Sequence, residues 1–316
     1  MHLVTGGAGF IGSHIAARLV ARGDGVRVLD NCSTGKRSNL AEIADRIDFL
    51  EGDIRDAATV RAAMEGVTTV FHHAAEVSVP RSMDDPVAAY GINVTGFLSV
   101  LDAARAARVG RVVFASSSAF YGDDPRMPKD EAMAPAPISP YASSKLAGEH
   151  LCAVFTKAYG LEAVALRYFN VFGPRQDPNS AYAAVIPRFL HAADRGERPT
   201  IFGDGGQSRD FVFIDDVVDA NLLAATAPEI GGRVINVASG SAVTLNQAWT
   251  AISALTGGDL RPIHQPERAG DVRHSLADIS RARRELGYAP STPFAEGLRR
   301  TLASIGGKPA DVAALR

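Results

Sequence analysis

The N-terminal residues up to Gly12 constrain the fold of this chain most. They join a short apolar run to a helical pattern through three glycines at the spacing G-x-x-G-x-x-G, namely Gly6, Gly9 and Gly12. Gly6 permits a tight turn from strand to helix, Gly9 leaves room for a pyrophosphate, and Gly12 lets the helix pack on the sheet. The helix points its free N–H groups at the phosphates. A glycine triplet alone is weak evidence, but here it lies between a strand and a helix.

A carboxylate at the end of the next strand supports a bound dinucleotide. Asp30 closes a second apolar run about 20 residues beyond the glycines, where it can accept hydrogen bonds from the adenosine ribose. Residues near the two motifs are expected to contact the same cofactor, and these are Phe10, Ile11, Asn31, Ser33, Thr34 and Gly35. The glycine loop and the carboxylate together predict a dinucleotide-binding fold.

The composition is that of an ordinary globular protein. Of the 316 residues, 46% are hydrophobic and 22% are charged, and the formal net charge is −2. This charge gives no reason to expect nucleic acid or an anionic membrane as a partner. No apolar run approaches the roughly 20 residues that span a bilayer, and no secretory leader is visible. Cys32 and Cys152 form no metal-binding pattern, so we expect a reducing cytoplasm and no bound metal.

Strand-like runs alternate with helical patterns over the first half of the chain. The runs lie near residues 3, 26, 47–50, 67–71, 112–114 and 163–168. Such alternation predicts an α/β fold with a doubly wound parallel sheet of the Rossmann type, covered by helices on both faces. Ligands of these sheets bind beyond the carboxyl ends of the strands, so the residues after each strand are the candidates for a site.

Two strand ends are candidates for further cofactor contacts. Asp53 can accept a hydrogen bond from the adenine amino group with Ile54 against the ring, or the segment can serve only to begin a helix at Asp56. Ala74 and Ala75 follow the fourth strand and are small enough for the backbone to approach the cofactor closely.

His72 and His73 precede these alanines. Neighbouring residues on a strand point to opposite faces, so the two rings cannot chelate one metal ion well, and we expect packing roles. A long helical pattern then runs from about Val87 to Arg108. It contains Asn93, which can hydrogen-bond a neighbouring strand or the cofactor, or face solvent. The helix is a candidate subunit interface, although its apolar stripe would serve the core equally well.

Serines at a strand end and a Tyr–Lys pair are the candidates for chemistry. Ser116, Ser117 and Ser118 end the fifth strand, where a substrate should lie, although they could equally satisfy the backbone of a turn. Tyr141 and Lys145 are spaced to share one helix face. The Lys145 ammonium, together with a positive nicotinamide, is expected to lower the pKa of Tyr141 from its usual value of about 10. The phenol then becomes a general base or acid near neutral pH.

The order of these motifs resembles the extended short-chain dehydrogenase/reductase family, and within it the UDP-glucose (UDP-galactose) 4-epimerase group. The resemblance spans nearly the whole chain. It is carried by TGGAGFIG, GDIRD, the HAA turn, SSS followed by YG, YxxxK, RYFNVFGPR, and GDG followed by RDF. These motifs are specific for nucleotide-sugar enzymes of the family and less specific for the sugar.

The resemblance implies an NAD cofactor, a UDP-sugar substrate and a set of residue roles. Tyr141 would be the catalytic base, Lys145 would hold the nicotinamide ribose, and Ser117 would bind the 4-hydroxyl of the sugar. Ser118 is implied as a substrate contact and Tyr168 as a cofactor contact. The implied reaction passes a hydride from C4 to bound NAD and a proton to Tyr141. The 4-keto sugar then turns over and takes the hydride back on its other face.

The resemblance assigns the nucleotide sugar to a smaller, mixed α/β C-terminal domain. We expect an NAD-binding domain over 1–169, to which about 213–237 returns, and a substrate domain over 170–212 and 238–316. Arginine suits a dianionic diphosphate, although any single one could be a solvated surface group. The implied contacts are Asn170 for the sugar or diphosphate, Ile201 and Phe202 for the uracil, Arg209 and Arg268 for the diphosphate, and Asp271 for the ribose.

Three positions bear on the reaction and the sugar. Relatives that dehydrate the sugar carry an Asp-Glu pair directly after the catalytic Ser or Thr, where this chain has Ser118 and Ala119. The resemblance therefore disfavours dehydration, and UDP-glucuronate 4-epimerases are the nearest alternative, ahead of decarboxylases. Ser275 matches a gate residue beside the 2-substituent of the sugar. Its small side chain should admit N-acetylhexosamines as well as UDP-glucose and UDP-galactose.

Two further expectations rest on the resemblance. A non-catalytic NAD-binding regulator would usually lack the Tyr–Lys pair, so this class is disfavoured. Family members commonly dimerise through two long helices, which correspond here to about 87–108 and 141–159, and a homodimer is expected.

Overall fold

Parallel strands form the centre of the protein, and helices cover them. The computed structural model describes residues 1–177, 184–258, 260–267 and 272–307. Its strands are β1 (His2–Thr5), β2 (Val26–Asp30), β3 (Ile47–Glu51), β4 (Thr69–His72), β5 (Arg111–Ser117), β6 (Glu162–Tyr168), β7 (Asn170–Phe172), β8 (Thr200–Phe202), β9 (Ser208–Phe213), β10 (Val234–Val237), β11 (Ala242–Thr244) and β12 (Ile263–Gln265).

The α-helices follow most strands. They are α1 (Phe10–Ala21), α2 (Ala57–Ala63), α3 (Val79–Asp84), α4 (Pro86–Tyr90), α5 (Phe97–Ala106), α6 (Pro140–Tyr159), α7 (Val185–Asp194), α8 (Ile214–Thr226), α9 (Leu245–Thr256), α10 (Ser280–Leu286) and α11 (Phe294–Ser304). A π-helical turn, Gly91–Gly96, joins α4 to α5. Segments Arg37–Arg46 and Ser118–Tyr121 are 3₁₀-helical.

Seven strands make the central sheet in the order β10-β6-β5-β4-β1-β2-β3. Every neighbouring pair is parallel. The chain order reverses between β1 and β4, which opens a crevice at the carboxyl ends of these strands. The predicted doubly wound Rossmann sheet is confirmed.

The central strands are buried on both faces, because helices cover the sheet on either side. Val112 packs into one hydrophobic cluster with residues of α2, α5 and α6. Its neighbour Val113 points the other way, into a cluster with residues of α1 and α8. Continuous apolar runs are typical of parallel strands with helices on both sides.

Smaller sheets lie in the second half of the chain. β9 pairs parallel with β7 and antiparallel with β11, and β8 pairs with β12. This is the mixed α/β character expected there. The chain also returns to the central sheet, since β10 pairs with β6 along its outer edge. The preceding Ile214–Thr226 is helical and packs beside α1 and β5.

The helical run Pro86–Ala106 corrects one expectation from the sequence. Its 21 residues are long and apolar enough to cross a membrane by length and composition alone. The expectation that no such run exists was therefore wrong. The run is 44% buried in the fold and packs against α2 and α6, as a core helix does.

Candidate active site

A cavity of about 380 Å³ lies at the carboxyl ends of the central strands. It is lined by residues from the ends of β1 to β6, as expected for a ligand site in this fold. Its lining includes these residues that the sequence predicted to hold a cofactor: Gly6, Gly9, Phe10, Ile11, Gly12, Asp30, Asn31, Ser33, Thr34, Gly35, Asp53, Ile54, Ala74, Ala75, Tyr141, Lys145 and Tyr168.

The glycine loop is packed too closely for side chains. Gly6 has a φ of +67°, and a Cβ there would lie 2.6 Å from the backbone of Ala74. A Cβ on Gly12 would lie 2.3 Å from the Gly6 carbonyl oxygen. Gly9 is the N-cap residue of α1 and offers no side-chain cap, and the first turn carries no acidic residue. The helix therefore presents its unpaired N–H groups and positive end to an anion, which fits the pyrophosphate of NAD.

The Asp30 carboxylate is hydrogen-bonded to the glycine loop and to the loop after β2. One carboxylate oxygen accepts from the Ala8 N–H at 2.9 Å, and the other accepts from the Cys32 N–H at 2.8 Å. Each oxygen keeps a second lone pair, which fits the predicted bonds from ribose hydroxyls.

The segment after β3 begins a helix at Asp56, and its other candidate, Asp53, lines the cavity. Asp56 caps α2, because its carboxylate accepts from the Ala58 N–H at 3.0 Å. Asp53 lines the cavity and also accepts from Asn31 at 3.0 Å. Hydrogen bonds from the Arg55 guanidinium lower the pKa of Asp53 to about 2, so this carboxylate is ionised at neutral pH.

The two histidines at the end of β4 point to different partners, as expected. His72 is buried, with its Nδ1 2.8 Å from the Thr5 hydroxyl and its ring stacked 4.6 Å from Phe97. His73 lines the cavity, and its Nε2 lies 3.0 Å from the Tyr168 hydroxyl. Burial lowers the pKa of His73 to about 3, so its ring is neutral.

Asn93 forms its hydrogen bonds with other parts of the protein, namely Glu76 and Ser144. Its amide Nδ2 donates to the Glu76 carbonyl at 3.0 Å and to the Ser144 hydroxyl at 2.9 Å. Its Oδ1 accepts from the Glu76 N–H at 2.8 Å. The residue is buried behind the cavity and is not among the residues that line it. Asn93 thus fixes the loop after β4 to α6, which corrects the predicted direct contact.

Ser117, Tyr141 and Lys145 meet at one end of the cavity. Ser139 caps α6, accepting from the Ala142 N–H at 3.1 Å, so the helix begins next to Tyr141. The Ser117 hydroxyl is near enough to the Tyr141 phenol to lower its pKa, and both residues line the cavity. Lys145 lies one turn further along, and its Nζ donates to the Ala115 carbonyl at 2.8 Å.

Burial dominates the acid–base properties of this group. It lowers the pKa of Lys145 to about 8. It raises the pKa of Tyr141, and the Ser117 hydroxyl offsets this only in part. The protein alone therefore shifts the Tyr141 pKa upward, whereas the predicted lowering includes the positive charge of a bound nicotinamide and stays a prediction. The upward shift arises because excluding water from a phenol disfavours its charged form.

A second cavity of about 390 Å³ lies beside the first. Four of the predicted substrate contacts line it, namely Asn170, Ile201, Phe202 and Arg209. Arg188 adds a second guanidinium to its lining. Val171 lines both cavities, so the two meet at the strand that follows β6.

The other predicted substrate contacts do not line these cavities or lie outside the described residues. Ser118 is half-buried at the start of a 3₁₀-helix, and it lines neither cavity. Ser275 also lines neither, and its N–H donates to the Ser208 carbonyl at 3.0 Å, beside Arg209. Arg268 and Asp271 lie outside the described residues.

Several residues of the first cavity escaped the sequence analysis. They lie in the segments that follow β4 and β7, and they belong to none of the motifs named above. They are Glu76, Val77, Arg81 and Gln176. Arg81 on α3 forms an ion pair with the Glu76 carboxylate at the cavity wall.

Comparisons with known proteins agree with this geometry. The family model described as the NAD dependent epimerase/dehydratase family matches residues 2–238. The chain is 42% identical to a UDP-glucose 4-epimerase of Mycolicibacterium smegmatis, over 95% of this chain and 96% of the relative.

Two solved structures are also similar over nearly their whole length. A UDP-N-acetylglucosamine 4-epimerase from Methanobrevibacter ruminantium, in complex with UDP-N-acetylmuramic acid, has a TM-score of 0.93 and 42% identity, covering 96% of this chain and 97% of that one. A UDP-glucose 4-epimerase of Thermus thermophilus in complex with NAD has a TM-score of 0.88 and 39% identity, covering 97% and 99%. The chain therefore belongs to the NAD dependent epimerase/dehydratase family, and it is an NAD-dependent epimerase.

Proposed function

We propose that the protein is a UDP-sugar 4-epimerase that interconverts UDP-glucose and UDP-galactose. One observation carries this proposal: Ser117, Tyr141 and Lys145 meet in a cavity that adjoins a second one across Val171. With a dinucleotide in the first cavity and UDP in the second, the hexose lies between them, beside the Tyr141 phenol.

The first cavity would hold NAD at its pyrophosphate and at both riboses. The N-terminus of α1 and the glycine loop would bind the pyrophosphate, Asp30 would accept from the adenosine ribose, and Lys145 would donate to the nicotinamide ribose. When bound, NAD supplies an acceptor for the hydride of C4 and gives the same hydride back.

The side chains of the protein handle the proton. Ser117 orients the 4-hydroxyl of the sugar, and the Tyr141 phenolate removes its proton as C4 becomes a ketone. Because burial raises the pKa of Tyr141, cationic charge is needed to form the phenolate near neutral pH. Lys145, with a pKa near 8, is largely charged at pH 7 and supplies part of it. After the 4-keto sugar turns over, Tyr141 returns the proton to the oxygen.

The second cavity suits the nucleotide. Ile201 and Phe202 offer apolar surface for the uracil, while Arg188 and Arg209 bring positive charge for the diphosphate. Asn170 stands where the sugar would enter. Arg268 is proposed as a further diphosphate contact and Asp271 as a ribose contact.

The preferred sugar follows from charge and size. Arg81 is a cation in the lining of the first cavity, but its guanidinium already binds Glu76. A hexuronate would have to displace this carboxylate, so a neutral hexose is favoured over the alternative, UDP-glucuronate. The small side chain at Ser275 supports turnover of N-acetylhexosamines as well.

The test is turnover of a panel of UDP-sugars without added NAD, with the C4 epimers separated by chromatography. The panel contains UDP-galactose, UDP-GalNAc and UDP-glucuronate. Tyr141→Phe should reduce turnover by about 10²- to 10⁴-fold, since it removes a general base. Ser275→Tyr should abolish turnover of UDP-GalNAc and retain that of UDP-galactose. A stable 4-keto or decarboxylated product from the wild type would contradict the proposal.

We further propose that two copies associate through the helical run Pro86–Ala106 and α6. Both carry exposed apolar side chains, such as Leu98 and Val154.

We also propose a division of the chain into an NAD-binding part, 1–169 with 213–237, and a substrate part, 170–212 with 238–316. The free thiols of Cys32 and Cys152 fit a reducing cytoplasm.

A further inference from the structure

Glu149 is a buried carboxylate that the proposed mechanism does not use. It continues the spacing of Tyr141 and Lys145 along α6, so the three side chains lie on one helix face. Only 3% of its side chain is exposed. Its Oε1 accepts a hydrogen bond from the Ser116 hydroxyl at 2.5 Å. Ser116 directly precedes Ser117 in the chain.

Arg167 binds the same carboxylate from β6. It is paired in register with Ser116 of the neighbouring strand. Its Nε and Nη2 donate to the two oxygens of Glu149, each at 2.8 Å, and its side chain is also only 3% exposed. The guanidinium carbon stacks 3.4 Å from the centre of the Phe120 ring. This geometry fixes the ion pair in one arrangement.

Arg167 also reaches the chain beyond Ser117. Its Nη1 donates to the Tyr121 hydroxyl at 3.0 Å, and Tyr121 in turn donates to Asn236 on β10 at 2.7 Å. Tyr121 ends the short 3₁₀-helix that starts directly after Ser117. The ion pair is thus hydrogen-bonded to side chains on both sides of Ser117, those of Ser116 and Tyr121.

We propose that Glu149 and Arg167 are positioning residues that hold Ser117 against Tyr141. A buried ion pair stabilises a fold little compared with a well-packed apolar pair, so a role in stability alone accounts poorly for it. Its bonds to Ser116 and Tyr121 instead fix the strand end that carries the reacting hydroxyl. The inference rests on the proposed function, in which Ser117 and Tyr141 act on the 4-hydroxyl of the sugar.

The sharpest test changes Ser116, because this leaves the ion pair intact. Threonine and valine have nearly the same shape and differ by one hydroxyl, so Ser116→Thr and Ser116→Val isolate the bond to Glu149. We expect Ser116→Val to lower kcat about 10- to 100-fold relative to Ser116→Thr, since small misplacements of reacting groups are costly. The KM values of the two variants should agree within about 2-fold, and so should their contents of bound NAD.

Glu149→Gln tests the carboxylate itself against a matched control. Asp216 is another buried carboxylate, and it accepts from the N–H groups of Ser291 and Thr292 away from both cavities. We expect Glu149→Gln to lower kcat as Ser116→Val does, while Asp216→Asn lowers the melting temperature but leaves kcat within about 2-fold. Equal kcat in Ser116→Val and Ser116→Thr would overturn the inference. So would a loss in Glu149→Gln no larger than that in Asp216→Asn.

Crystal structures of the variants separate this inference from the proposed function. In Ser116→Val and Glu149→Gln, the distance between the Ser117 and Tyr141 hydroxyl oxygens should increase relative to the wild type, and in Ser116→Thr it should stay the same. An unchanged distance in all three variants would refute the positioning role. A wild type inactive on every UDP-sugar would instead refute the proposed function, and the crystal structures would still decide the positioning role.

Discussion

Lys145 is a charged side chain held where charge is unfavourable. Only 4% of the residue is exposed, and burial lowers the pKa of its ammonium to about 8. In the unfolded chain the pKa is near 10.5, so the folded protein binds fewer protons than the unfolded one between about pH 8 and 10.5. Stability therefore rises with pH across this window, and the full cost of burying the charge is present below it.

We predict that Lys145→Met stabilises the cofactor-free protein while it abolishes turnover. The pKa shift corresponds to about 3 kcal/mol, and loss of the hydrogen bond to Ala115 offsets about 1 kcal/mol of it. The free energy of unfolding at pH 7 should therefore rise by about 1 to 2 kcal/mol in urea denaturation, and the gain should shrink from pH 8 to 10.5. Lys157→Met, at an exposed position on the same helix, should change stability by less than about 0.5 kcal/mol. A less stable Lys145→Met protein at pH 7 would contradict this.

Individual site residues could be predicted where one local spacing carries the signal. The three glycines, Asp30 and the Tyr141–Lys145 pair each depend on a turn or a helix face, which adjacent residues determine. Asn93 and Arg167 could not be assigned this way, because their partners come from other elements. The upward shift of the Tyr141 pKa in the protein alone could not be predicted, because the extent of burial is a tertiary property.

At the level of elements, the site depends on how closely α6 approaches β5. Gly148 faces the Phe114 ring, and a Cβ at this position would lie 2.3 Å from the ring. Any side chain there must push the helix outward or the ring aside. Since Tyr141 and Lys145 lie on the same helix, such a displacement would reach the reacting groups.

We predict that Gly148→Ala costs about 1 to 3 kcal/mol of stability, as overpacking of a core does. It should also reduce kcat several-fold, because α6 carries Tyr141. Gly91→Ala is the matched control, since Gly91 has helical dihedrals and a Cβ there meets nothing within 4 Å. It should stabilise the protein by about 0.5 to 1 kcal/mol. Thermal melting and steady-state kinetics of both variants test this, and a Gly148→Ala protein as stable and active as the wild type would refute it.

The elements themselves were predicted better than their irregularities. Strands and long helices repeat a pattern over many residues, and the observed bounds lie close to the predicted ones. The short helix α3 and the π-helical turn Gly91–Gly96 were missed. The helix α3 precedes the long helical pattern predicted from about Val87, and the π-helical turn lies within that pattern. Asn93 lies in the π-helical turn, and from there it donates hydrogen bonds to the loop after β4 and to Ser144 of α6.

For the whole molecule, we predict that Leu98→Glu combined with Val154→Glu converts a dimer into monomers. These apolar side chains are 41% and 52% exposed, and a charge buried between two copies would be unpaired. Sedimentation velocity at micromolar concentration measures the change. Ile263→Glu, on β12 with 39% exposure, is the control and should leave the dimer intact. A monomeric wild type, or equal dissociation of the control, would contradict the proposed interface.

The order of strands in the central sheet has a consequence for synthesis on the ribosome. β10 forms one edge of this sheet, yet it is translated after β7, β8 and β9. Until residue 237 emerges, the nascent chain presents β6 as an unpaired edge, which is a template for pairing with other chains. Completion of the cofactor-binding sheet thus waits for much of the second half of the chain. A fragment that ends at residue 169 would keep this edge permanently open.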